Sequence, residues 1–150
     1  DHRDLHSFPT RRSSDLPEER SRRAIYGYVK RSLLDPLLVR FDLPDPDSSC
    51  EARFVTTQPA QALGLINGDF LQQQSAAFAE RLRREHPDDR PKQVAEAIHL
   101  ALGREATADE TAEGVELITT WQQRHGLSQE EALRFYCLYV YNLNEFAYLD

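Results

Sequence analysis

Only two cysteines, Cys50 and Cys137, occur in 150 residues. That scarcity excludes a disulfide framework and a cysteine-based zinc site. Neither thiol opens a C-x-x-C-H haem-attachment pattern, because Glu51, Ala52 and Arg53 follow the first and Leu138, Tyr139 and Val140 the second. No apolar run reaches the length of a membrane span. Basic charge is in short supply as well: 18 Lys and Arg face 25 Asp and Glu, a net charge of −7. An acidic chain without a basic, aromatic-studded stripe is a poor ligand for nucleic acid or anionic membrane, since both reward positive charge. Nucleophile elbow, phosphate loop, dinucleotide fingerprint and zincin helix are all missing. No repeat period is found, although a rhythm of cap, apolar stripe and glycine recurs.

What is present begins with an oddity. Residues 1–16, DHRDLHSFPTRRSSDL, back-translate in one frame and without a mismatch into the 3′ half of a standard short-read sequencing adapter. The segment resembles a translated adapter and is expected to be non-native and disordered. We therefore expect the natural chain to start upstream of what is given. Asp1, Asp4 and Asp15 cancel Arg3, Arg11 and Arg12, so the negative charge belongs to the rest. From Pro17 onward the length is that of one ordinary domain or the end of a larger one.

Residues 17–56 read as a partial segment followed by a loop. Ile25, Val29 and Leu33 fit one helix face, whereas alternation from Ala24 to Val29 also fits a strand; the balance favours helix around a break at Pro36. The stretch from Phe41 to Pro59 holds three prolines amid Asp and Ser, a composition for a long loop. Residues 57–150 read as a helical bundle. Thr57 is placed to cap a helix with Pro59 in its first turn, and Asn67-Gly68 breaks it. Asp69 is expected to cap the next helix, with Phe70, Leu71, Ala77, Phe78 and Leu82 on its apolar face. Asp88 or Asp89, with Pro91, opens a third, striped by Val94, Ala97, Ile98, Ala101 and Leu102 and closed by Gly103. Thr107/Glu110 and Ser128/Glu131 are capping boxes for two more. Between Ala132 and Tyr141 the only charged side chain is Arg134, so that helix should be apolar on all sides and central. The expected fold class is all-α, a small orthogonal bundle of about four to five helices behind a long N-terminal loop region.

The blocks RRAIYGYVKRSLLDPLLVRFDLPD, SCEARFVTTQPAQALGLING, ALGREATADE and YNLNEFAYLD resemble, in this order, the C-terminal domain of unknown function that accompanies planctomycete c-type cytochrome domains. The resemblance runs from about Arg22 to Asp150. Gly64, Gly68 and Ala106 depart from its usual residues. It implies a helical domain at the end of an exported (periplasmic or extracellular) multidomain protein. Haem c would sit in an upstream domain, with no cofactor in this part. The implied partners are upstream domains of the same polypeptide and an envelope or polysaccharide component. It implies no activity.

Candidate site residues gather in two places. Arg53, Thr56, Thr57, Gln61 and Asn67 lie at a loop–helix junction, where free backbone N–H groups favour an anion. Arg53 would fork onto a carboxylate or sugar acid, with Thr57 and Gln61 orienting it. Equally, Arg53 pins the loop and Thr57 merely caps. Asn142, Asn144 and Glu145 follow the central helix. Glu145 would be a buried general acid or base of raised pKa; or the cluster ends the helix and satisfies neighbouring backbone; or Glu145 is half of a structural ion pair with Arg53. Asp42, Asp45 and Asp47 offer hard ligands for calcium, but Pro44 and Pro46 interrupt them and a solvated loop accounts for them. His86, His99 and His125 lack ligand spacing, so no metal is assigned. In an exported protein Cys50 and Cys137 would form a disulfide, or remain two unpaired thiols. Two functions follow: a non-catalytic scaffold or docking module, or a ligand-binding or catalytic domain acting on carbohydrate-like substrates.

Overall fold

Capping chemistry sets the helix boundaries in the computed structural model, which describes residues 34, 36–49 and 59–148. Among these there are seven helices and no strand: α1 (Pro36–Arg40), α2 (Pro59–Asn67), α3 (Asp69–Glu85), α4 (Arg90–Leu102), α5 (Ala108–His125), α6 (Gln129–Tyr141) and α7 (Asn144–Ala147). The all-α class expected from the sequence is what is found. The adapter-like segment, the ambiguous stretch 17–33, and Cys50, Arg53, Thr56 and Thr57 lie outside the described residues. The chain divides into two compact units, Asp1–Gly64 and Leu65–Asp150.

In the first unit Pro36 is the first residue of α1, where its missing N–H costs nothing. Asp42 turns the chain out of that helix with φ 57°, and the Leu43 N–H returns to the Leu38 carbonyl at 3.0 Å. Asp45 accepts from the Asp47 backbone N–H at 2.9 Å, a turn closed by its own side chain.

The second unit carries the core. Asp89 accepts from the Lys92 N–H, Pro91 lies in the first turn of α4, and Gly103 ends it at φ 71°. Both capping boxes form, Thr107 with Glu110 for α5 and Ser128 with Glu131 for α6. Gly126 closes α5 at φ 65°. The entry to α3 differs from expectation: Gly68 is the N-cap and makes no side-chain bond, while Asp69 is the first helical residue. There its carboxylate faces the positive end of the helix dipole instead of a particular N–H.

Phe78, Ala79 and Leu82 of α3, Val94 and Ala97 of α4, Ile118 of α5, and Ala132, Leu133, Tyr136, Cys137 and Val140 of α6 form one buried cluster. On α3 the buried set is Ser75, Phe78, Ala79 and Leu82. Ala77, expected on that face, is exposed, because the buried stripe runs through positions 75, 78, 79 and 82 and position 77 falls outside it. α6 packs against α3, α4 and α5 and is central, as its composition requires. Yet it is not enclosed all round, since Tyr139 remains 46% exposed. Gly114 permits a close approach of its neighbours to α5. A Cβ there would come within 2.6 Å of Val94 Cγ1 and 2.8 Å of the Tyr136 hydroxyl. Buried Gln93 donates to the His86 carbonyl at 2.7 Å, satisfying the end of α3.

Candidate functional site

The strongest electrostatic cluster is one the sequence reading missed. Arg104 follows Gly103 in the turn between α4 and α5. Its Nε and Nη2 donate to the two oxygens of Glu145 at 2.7 and 2.9 Å. Nη1 and Nη2 also donate to Glu110 at 3.0 and 2.7 Å, and Nη1 to the Glu105 carbonyl at 3.2 Å. Two bidentate carboxylates on one guanidinium make a short, charge-assisted network. Glu110 simultaneously accepts from the Thr107 N–H at 2.8 Å, so the capping box and the ion-pair hub share a carboxylate. Arg104 and the Thr107 donors bring the Glu110 pKa down to about 2.

This overturns the buried-acid reading of Glu145 and leaves it in a structural ion pair, with Arg104 as the partner. Its side chain is half exposed, and the hydrogen bonds from Arg104 lower its pKa against the opposing effects of desolvation and the neighbouring Glu110 charge. It is an ionised ion-pair partner, the reverse of a buried acid of raised pKa. Asn144 beside it is the first residue of α7 and exposed. Gln61 is buried and donates from Nε2 to the Arg40 carbonyl at 2.9 Å, capping α1. Asn67 is exposed at the end of α2. Arg53 and Thr57 lie outside the described residues. Cys137 is a free, fully buried thiol whose pKa burial pushes up to about 12; Cys50 is not among the described residues. No group of three or more His, Cys, Asp or Glu able to hold a metal is found among the described residues, and no helix there is long and apolar enough to cross a membrane.

A concavity lies elsewhere. A groove of about 430 Å³ is lined by Ile66, Trp121, His125, Leu127, Phe135, Leu138, Tyr139 and Asn142, a volume typical of small ligand sites. Phe135, Leu138, Tyr139 and Asn142 are spaced as one face of α6, and Trp121 and His125 as one face of α5. Asn142 caps α6 and donates from Nδ2 to the Leu138 carbonyl at 2.7 Å, leaving its buried Oδ1 without a partner. The apolar character of α6 was legible in sequence. That one of its faces would stay open was not, because burial depends on which neighbours arrive.

Residues 4–118 match the model of a family described as PSD1, protein of unknown function (DUF1553). The chain belongs to the PSD1 family. No curated protein and no solved structure matches it. The PSD1 match takes in residues 4–16, which also read as adapter, and reaches Ile118 within α5. The Arg104–Glu110 contact falls inside it; Glu145 and every groove residue except Ile66 lie beyond it.

Proposed function

We propose that this PSD1 chain is the C-terminal helical domain of an exported, cytochrome-c-associated planctomycete protein, and that it acts as a non-catalytic scaffold or docking module. Haem c belongs to an upstream domain, and this part carries no cofactor. Its partners are upstream domains of the same polypeptide and an envelope or polysaccharide component. The four sequence blocks support the setting. One observation carries the non-catalytic role: Arg104 holds both Glu110 and Glu145 ionised. The carboxylate that the carbohydrate-active reading casts as general acid or base is thereby committed to joining α7 to the start of α5. General acid catalysis needs a pKa near the working pH, and this network moves both carboxylates the other way.

The test pairs a haem-bearing upstream domain with this chain and measures association by calorimetry. It also assays the chain on envelope polysaccharides. The scaffold reading expects association without turnover, and a lower Tm for Glu145→Gln. Polysaccharide cleavage that disappears in Glu145→Gln at unchanged Tm would establish the carbohydrate-active alternative instead.

A further inference from the structure

We infer that the groove of α5 and α6 is a small-molecule site, and that its ligand is an aryl carboxylate: a flat apolar body carrying one anionic group. Such a site is independent of the docking role, and either can fail alone. The body follows from the wall. Trp121 lines the groove from α5, and Phe135 and Tyr139 line it from α6. Three aromatic rings around one concavity favour a planar ligand that packs offset or edge-on against them. A dry cavity of about 150 Å³ holds one benzene ring. The groove, at about 430 Å³, therefore has room for two rings and a short polar tail.

The sign of the polar group follows from the charges at the groove. No lining residue is acidic, and His125 is one of them. Arg124 stands in the last turn of α5, three residues beyond Trp121, and Arg134 stands four residues before Leu138. Both therefore belong to helix rows that adjoin the lining. The Arg134 guanidinium lies 4.9 Å from the centre of the Phe135 ring, against one wall of the groove. Among the described residues neither arginine has a carboxylate within ion-pair distance. The acids just before Arg134 are engaged elsewhere. Glu130 pairs with Arg83 at 2.8 Å, and Glu131 accepts from the Ser128 N–H and hydroxyl at 2.9 and 2.7 Å. The chain as a whole carries −7, which disfavours an anion at long range. Salt screens charges beyond about 8 Å, whereas a guanidinium beside the groove acts at contact and forks onto a carboxylate. The local sign wins. An amine of the same shape would meet three basic side chains and no acid.

Trp121 is the only tryptophan of the chain and lines the groove, so its fluorescence reports occupancy directly. The full chain is titrated with biphenyl-4-acetate, biphenyl-4-methanol and biphenyl-4-methylamine, with calorimetry alongside. A saturable change in Trp121 emission is expected with the carboxylate, about fivefold or more weaker with the alcohol and weakest with the amine. Replacing Arg124→Gln and Arg134→Gln together should bring the carboxylate down to the alcohol and leave the alcohol unchanged. Tyr139→Ala, at an exposed position, should weaken carboxylate and alcohol alike, with helical circular dichroism and Tm retained. Lys92→Gln, which removes a cation outside the groove lining, should change neither. No saturable change, an amine that binds as tightly as the acid, a carboxylate preference that survives the double arginine variant, or equal weakening by Lys92→Gln would each overturn the inference.

Discussion

Arg104 directs five hydrogen bonds at three residues, Glu105, Glu110 and Glu145, which uses every N–H a guanidinium has. Lysine at this position keeps the charge but not the fork, so Arg104→Lys should lower Tm in a thermal melt nearly as much as Arg104→Ala. The pH dependence follows in sign. Glu110 titrates near 2 when folded against an ordinary 4.5. Its contribution is therefore complete above about pH 4.5 and drains away as pH falls towards 2. Acid melts of Arg104→Ala should lose that part of the slope; an unchanged acid limb would show that the hub does not act in solution. Gly114 makes the opposite kind of point. Helix propensity alone favours Gly114→Ala by about 1 kcal/mol, but the new methyl meets Val94 and Tyr136. Overpacking of this sort costs about 1–3 kcal/mol, so urea titration should find the variant destabilised. A stabilised variant would mean that α5 can move away from α4 and α6.

For the elements, local chemistry fixed where α4, α5 and α6 start and stop. Each is opened by a side chain that accepts from the N–H three residues on, and α4 and α5 are closed by left-handed glycines. Thr107→Ala and Ser128→Ala should each cost about 1 kcal/mol. Thr107→Ala should cost more of the two, because Glu110 then loses the Thr107 hydroxyl, one of the donors that hold it in place for Arg104. Equal losses in chemical denaturation would separate the cap from the hub. The face of α3 was read only in part, because Ala77 and Ala79 are equally apolar and local sequence does not say which meets α6. The partner of Glu145 was missed for a related reason. Its partner Arg104 is 41 residues away, and no local spacing announces such a pair.

Across the second unit, stability concentrates on α6. Leu133 and Val140 are buried against the rest of the core, and Leu133→Ala should cost about 2–5 kcal/mol. Amide exchange should be slowest from Ala132 to Val140, with side-chain access confined to the Tyr139 face. Fast exchange along that segment would dismantle the bundle. Cys137, fully buried with its pKa pushed to about 12, should resist alkylation until the chain unfolds. The separateness of Leu65–Asp150 has its own test. A chain of residues 59–150, which keeps α2 whole, should melt cooperatively with helical circular dichroism.

The sequence by itself determined the helical class, the caps of α4, α5 and α6 and the identity of the central helix, because hydrophobic periodicity and capping act over a few residues. Tertiary packing alone decided that Arg104 gathers Glu110 and Glu145, that Gly114 is the point of close contact, and that the outer face of α6 stays open beside Trp121. Those outcomes depend on residues far apart in the chain meeting in space, and charge or apolarity at one position does not name the group that will arrive opposite it.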